Sequence, residues 1–223
     1  MPIDELEELV KREDLPLDVK KKLEIARAKD LDRDDYVKQV EHRSIHDALT
    51  SLPNRFLYHD RLEQAVKKAS RDMLRKNGKK AETTETSMAL LYIDIDNFKI
   101  LNDAYTHDGG DEIIKYVGEQ IKKSLRQSDT VARVGGDEYV AILPEIKTRE
   151  HAEKKAKKIQ KNMQQEPFEY KGKKIAVNIS MGISLYPIDG KKGKTLEKRA
   201  DNAMYKAKKL GGNQYQFHSQ ANP

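Results

Sequence analysis

The alternation of apolar and polar positions divides the chain into a series of short elements. "MALLYIDID" (88 to 96) is an apolar run that ends in acids, the pattern of a buried strand. Residues 111 to 126 place Ile113, Ile114, Val117, Ile121 and Leu125 at helical spacing. "TVARV" and "EYVAIL" flank Gly135 and Gly136 as the two strands of a hairpin. A helix over 149 to 163 turns Ala152, Ala156, Ile159 and Met163 inward and leaves Lys154, Lys155, Lys157 and Lys158 as a solvated face. "FEYKGKKIAVNISMGISLY" predicts a hairpin turning at Gly172. A helix over 195 to 209 buries Leu196, Ala200, Ala203, Met204 and Ala207, and "NQYQF" is a short final strand. With a further helix at about 56 to 75, strands and helices alternate and hairpins are interposed. The expected fold class is α/β, an α+β sandwich with helices against a mostly antiparallel sheet.

The N-terminal part reads differently. Residues 1 to about 30 suggest short helices broken at Pro16. From 31 to 46 a very polar helix carries a thin stripe of Tyr36, Val37, Val40 and Ile45. Such a stripe suits a stalk or a coiled-coil seam, and equally a helix packed on its own domain. "DALTSLPNR" (47 to 55) is a turn-rich joint, and "RKNGKKAETTETS" (75 to 87) is a basic, then polar loop. The expected organisation is a helical extension at 1 to 44 and one domain at 45 to 223.

Composition narrows the chemistry. The 223 residues include no cysteine and no tryptophan, so no disulfide or thiolate metal site is possible, and a reducing cytoplasm suits the chain. No apolar run approaches the roughly 18 residues of a membrane span, and "MPIDELEELVKRED" is too polar for a signal peptide. The net charge of +6 permits nucleotide or nucleic acid partners. Nucleic acid is set aside, because no aromatic-rich basic face or recognised module accompanies the charge.

The acids carry the strongest chemical signal. Asp94 and Asp96 close one strand on the same side, because side chains alternate along a strand. Asp137 and Glu138 sit at the tip of the hairpin. If that hairpin lies beside the first strand, the acids converge. Two bare carboxylates about 4 Å apart repel by roughly 4 kcal/mol at an effective dielectric of 20, so the cluster needs protons or a cation. Oxygen-only ligands favour Mg²⁺ over zinc, and Mg²⁺ commonly completes its shell with substrate phosphates. Gly135 and Gly136 would allow close backbone approach and an unusual turn. The plain structural reading of "GGDE" is a polar turn. Against it stands the second acidic strand end and, next to it, "DNFKILNDAYTHDGGD" (96 to 111). There Lys99 offers a cation for phosphate, and Asn102 and Asp111 are the hydrogen-bonding types that read a purine edge. No G-x-x-x-x-G-K-[ST] loop and no Ser-His-Asp arrangement is present.

Together these segments resemble the GGDEF family of diguanylate cyclases. The signature stands as Gly135-Gly136-Asp137-Glu138-Tyr139, with Tyr for the usual Phe. The likeness continues through "DALTSLPNR", "YIDIDNFKILNDAYTHDGGD", "NISMGIS" and "KRADNAMYKAKKLGGNQY", over about residues 45 to 217. It implies a nucleotidyl-cyclase-like central sheet flanked by helices. It implies condensation of two GTP into cyclic di-GMP and two pyrophosphates across a homodimer, with two Mg²⁺ (or Mn²⁺) per active site. On that resemblance Asp94, Asp137, Glu138 and the Ile95 carbonyl match the metal ligands, and Asp137, Glu138 and Lys99 the catalytic groups. Asn102 and Asp111 match the guanine readers, and His107 lies in the matching substrate-contact stretch. Phe98, Lys99, Lys208, Gly135 and Gly136 match the phosphate surroundings. Arg126 and Asp129 match the RxxD site at which cyclic di-GMP inhibits. Two positions depart from the pattern: Gly212 stands where many members carry an arginine, and Thr106 where glycine usually precedes the histidine. The alternative within the family is a non-catalytic module that senses GTP or cyclic di-GMP.

Overall fold

A computed structural model describes residues 16, 18–22, 44–76 and 86–218. The chain divides into two compact units, Met1–Ala48 and Leu49–Pro223. In the first, residues 18–22 are helical, and the Pro16 carbonyl accepts from the Val19 and Lys20 amides at 3.0 and 3.1 Å. The stalk expected over 31 to 46 lies outside the described residues, apart from 44 to 46.

The second unit opens with helix α1 (Arg55–Lys76). Asn54 is its N-cap: the side-chain Oδ1 accepts from the Phe56 and Leu57 amides at 3.0 and 3.2 Å. The "LPNR" joint therefore starts a helix as well as ending a turn. Strand β1 (Met88–Ile95) follows, then helix α2 (Phe98–Ser124), strands β2 (Thr130–Arg133) and β3 (Glu138–Pro144), and helix α3 (Arg149–Gln165). Strands β4 (Phe168–Tyr170), β5 (Lys173–Ile175) and β6 (Ile179–Tyr186), helix α4 (Gly193–Lys209) and strand β7 (Tyr215–Phe217) complete it.

Five strands form the main sheet in the order β2-β3-β1-β6-β7. All pairs are antiparallel except β6 with β7. Every residue of β1 is buried, as its unbroken apolar run predicts for a strand covered on both faces. Ala89, Leu91, Ile93 and Ile95 pack with Ile113, Val117, Ile121, Ala156 and Ile159 of α2 and α3. Met88, Leu90 and Tyr92 pack on the other face with Tyr58, Leu62, Leu196, Ala200 and Met204 of α1 and α4. Each large aliphatic side chain so buried contributes about 1.5–3 kcal/mol.

Two elements differ from the sequence expectation. The hairpin at Gly172 closes early: β4 and β5 form a separate two-stranded sheet, and β6 leaves it to join the main sheet. Lys171 and Gly172 both have positive φ (49° and 75°), the geometry of a type I′ turn. Helix α2 also begins at Phe98 and not near 111. Thr106 alone breaks its helical backbone (φ 65°, ψ 172°).

Candidate active site

The register of the sheet brings the acids together. Asp94 stands opposite Glu138 across the β1–β3 pair and opposite Ser180 across β1–β6. The Ile95 amide donates to the Asp137 carbonyl at 3.3 Å, which ties the end of β1 to the signature turn. The turn is closed by the Val134 amide on the Glu138 carbonyl at 3.0 Å. The Arg133 guanidinium donates twice to the Gly136 carbonyl, at 3.0 and 2.7 Å. From α1, Arg55 Nε donates to the Val134 carbonyl at 2.8 Å. Two arginines that sequence reading passed over therefore fix the loop.

Neither signature glycine has a positive φ, so the turn is not a left-handed one. A Cβ at Gly135 would collide with the Glu138 carboxylate, whereas a Cβ at Gly136 would meet nothing within 4 Å. Gly135 makes room for an acid, and Gly136 leaves the outer face of the turn open. Tyr139 is fully buried, and its hydroxyl donates to the Ile114 carbonyl of α2 at 2.6 Å.

Asp94 is the acid most changed by its surroundings. Its side chain is 8% exposed, and Lys208 Nζ lies 2.5 Å from Oδ1. The contact is a close ion pair, and among the described residues Oδ1 has no other partner. Burial pushes the Asp94 carboxyl up to about 6; Lys208 opposes the rise, and the Asp137 and Glu138 charges add to it. Lys208 reaches this place because α4 packs unusually close to β6. A Cβ at Gly182 would overlap the Ala200 carbonyl and the Met204 amide. Among the described residues, no three His, Asp or Glu side chains form a ready metal cage. A buried carboxylate oxygen whose one partner among the described residues is a lysine, and which feels the charges of two further acids, still fits a cation that draws its remaining ligands from a substrate.

Beyond Asp94 the chain turns into α2. Asp96 accepts from Ser180 Oγ at 2.6 Å and from the Asn213 amide at 2.7 Å. Gly212 (φ 69°) lies against the same carboxylate, where a Cβ would sit 2.9 Å from Oδ2. Glycine here lets the loop after α4 close on Asp96, and that packing accounts for the missing arginine. Asn97, at φ 55°, caps α2 without a side-chain hydrogen bond. Phe98 is half-buried and Lys99 exposed in the first turn. Asn102 Nδ2 lies 3.3 Å from His107 Nδ1. A Cβ at Gly110 would collide with Asn102 Oδ1 and approach the Phe98 ring, so Gly110 makes room for both. Asp111 follows, exposed.

Arg126 and Asp129 lie apart, in the turn after α2. The Arg126 amide donates to Asp129 Oδ2 at 2.9 Å, and the same oxygen binds Lys155 Nζ at 2.8 Å. Lys155 is thus half-buried in an ion pair and does not belong to the expected solvated face. Arg126 remains exposed beside a groove of about 360 Å³ that His151, Lys154 and Lys158 also line.

The chain matches the family model "Diguanylate cyclase, GGDEF domain" over residues 44–214. It is 42% identical over 176 residues to the bifunctional diguanylate cyclase/cyclic di-GMP phosphodiesterase MucR of Pseudomonas aeruginosa, covering 78% of this chain and 23% of MucR. The chain thus spans about a quarter of the length of that curated relative. Among solved structures, the GGDEF domain of TpbB from Pseudomonas aeruginosa superposes with a TM-score of 0.70 at 33% identity, over 78% of this chain and 94% of that one. The GGDEF domain of DgcB from Caulobacter crescentus, in complex with c-di-GMP, gives a TM-score of 0.68 at 26% identity over 79% of this chain and 94% of that one. With the signature turn facing Asp94 across a shared sheet and the family match spanning nearly the whole second unit, this chain belongs to the GGDEF diguanylate cyclase family.

Proposed function

We propose that this chain is a catalytically competent diguanylate cyclase that condenses two GTP into cyclic di-GMP and two pyrophosphates at a homodimer interface. The observation that carries the reading is the buried Asp94 carboxylate facing Glu138 beside the Asp137 turn, with a lysine as its counter-charge. Asp94, Asp137, Glu138 and the Ile95 carbonyl are the groups that would hold Mg²⁺ or Mn²⁺, two ions per site. Bound there, the metal would neutralise triphosphate charge and make the attacking hydroxyl more acidic.

The chain's own residues bind and orient the substrate. Asn102 and Asp111 hydrogen-bond the guanine edge, and His107 supports Asn102 from 3.3 Å. Asn97 gives no side-chain acceptor to the first turn of α2, so the Phe98 and Lys99 stretch is placed to meet phosphate with backbone amides and a lysine. The open face of Gly136 lets the nucleotide lie against the turn, while the missing Cβ at Gly135 leaves room for the Glu138 carboxylate. In each half-reaction the 3′-oxygen of one GTP bonds to the α-phosphorus of the other. The α–β phosphoanhydride bond breaks, pyrophosphate leaves, and the hydroxyl proton passes to Asp137. One domain supplies half of the reacting groups, so two copies must meet about a two-fold axis.

Arg126 and the groove it shares with Lys154, Lys158 and His151 are the site we assign to inhibition by the product. Arginine pairs bidentately with phosphate and stacks on bases. A GTP-consuming domain without cysteine suits the cytoplasm. Among the described residues no helix is long and apolar enough to cross a membrane.

The test is Asp137→Ala assayed for pyrophosphate release and cyclic product from GTP and Mg²⁺, with thermal unfolding alongside. The half-exposed turn position predicts an unchanged melting temperature and loss of turnover. A variant that turns over at the wild-type rate refutes the assignment. A wild type that binds GTP without product identifies the non-catalytic sensor of the same family.

A further inference from the structure

Among the described residues, Asp94 Oδ1 has one partner, Lys208 Nζ at 2.5 Å. We propose that Lys208 is a resident counter-ion which an arriving divalent cation must displace from Asp94, and that the released ammonium then binds the incoming triphosphate, so that cation loading and nucleotide capture are coupled. The proposal rests on the reading of Asp94 as a cation ligand.

Three features support the exchange. First, one carboxylate oxygen cannot hold an ammonium at 2.5 Å and a divalent cation together, because the two cations would repel at contact distance. Second, α4 cannot back away to make room. Its backbone at Ala200 and Met204 is seated where a Cβ on Gly182 would be, so only the lysine side chain can move. That side chain is 34% exposed and swings on four flexible methylenes, while Asp94 is fixed in a buried strand. Third, simple departure of the lysine is unfavourable. It would leave Asp94 buried beside the Asp137 and Glu138 charges with no cation at all. The lysine leaves when another cation takes its place. Once displaced, it stands at the end of α4, next to the loop where Gly212 offers no side-chain cation.

Coupling of this kind is reciprocal. Removing Lys208 should make the nucleotide-free protein a better cation binder, while the triphosphate should lose its ability to tighten the cation. The experiment is a Mn²⁺ titration of the full chain, read as the free-ion signal by electron paramagnetic resonance. It compares wild type, Lys208→Met, Lys208→Gln and Asp94→Asn, each with and without α,β-methylene GTP. Thermal unfolding confirms that each variant is folded, and the two lysine variants guard against an effect particular to one replacement. Without nucleotide, both lysine variants should bind Mn²⁺ about tenfold tighter than wild type, a typical coupling between two sites. With the analogue, wild type should gain affinity for Mn²⁺ and the variants should gain far less. Lysine variants that bind Mn²⁺ no tighter than wild type overturn the exchange. If Asp94→Asn leaves Mn²⁺ binding intact, the reading of Asp94 as a ligand is lost, and the exchange with it.

Discussion

The Tyr139 hydroxyl donates to the Ile114 carbonyl at 2.6 Å, linking the signature strand β3 to helix α2 through the core. The buried tyrosine that replaces the family's usual Phe thus has a partner for its added polar group. Tyr139→Phe should lower unfolding stability by about 1 kcal/mol, the net worth of one neutral hydrogen bond, and leave turnover unchanged. Urea denaturation followed by circular dichroism measures it. A large loss of turnover would mean that the hydroxyl acts on the site and does more than pack.

Thr106 has φ 65° and ψ 172°, a region that is essentially glycine-only. Such a residue costs about 1–3 kcal/mol, against which a new glycine loses roughly 0.5–1 kcal/mol in unfolded-chain entropy. Thr106→Gly should therefore stabilise the protein by about 1 kcal/mol and leave the Asn102–His107 contact formed. Differential scanning calorimetry should register a higher melting temperature. A lower one would place the backbone at 106 outside the left-handed region.

Asp94 gives a pH signature. Its carboxyl rises from the usual 3.8 to about 6 in the folded protein. Between these values the folded state holds a proton that the unfolded state has lost, so the contribution to stability falls as pH rises and the cost is complete above pH 6. A shift of that size corresponds to roughly 2–3 kcal/mol. In EDTA, Asp94→Asn should be more stable than wild type at pH 7 to 8, and the gain should shrink to nothing below pH 4 as both forms become neutral. Unfolding curves across this range check it, and a gain that is constant with pH would contradict the origin in charge.

For the inhibitory site, Arg126 and not Asp129 is the informative position. Arg126 is exposed, whereas Asp129 already accepts from the Arg126 amide and from Lys155, so replacing it leaves a half-buried lysine unpaired. Arg126→Ala should leave initial rates nearly unchanged and abolish the slowing that follows product accumulation. Progress curves with added cyclic di-GMP read this directly. Identical slowing in wild type and variant would remove the site from the account.

Much of this was legible in the chain. The apolar run of "MALLYIDID" marked a buried strand ending in acids, and the hairpin around Gly135 and Gly136 put Asp137 and Glu138 at a tip, because strand period and turn chemistry are local signals. That the two pair is a further condition, which the β1–β3 register meets. The partners that hold the site were not legible. Lys155 reaches Asp129 from 26 residues away, and Arg55 reaches Val134 from 79. Nothing in local pattern marks a lysine as half-buried when its neighbours Lys154, Lys157 and Lys158 are solvated. Gly182 read as one residue of a strand, yet it decides how closely α4 approaches and so where Lys208 stands. At Thr106 the departure from the family's glycine was visible, but threonine carries no sign that the backbone keeps a positive φ there.

The central claim is that the Asp94, Asp137 and Glu138 arrangement performs cyclisation. Its most direct measurement is mass spectrometry of the products formed when the purified full chain is incubated with GTP and Mg²⁺, beside parallel reactions with ATP and with EDTA. The account predicts cyclic di-GMP with two pyrophosphates for each cyclic product, formed from GTP alone and only when the divalent cation is present. GTP recovered intact at protein concentrations high enough for dimerisation, or a cyclic product formed equally well from ATP, would contradict it.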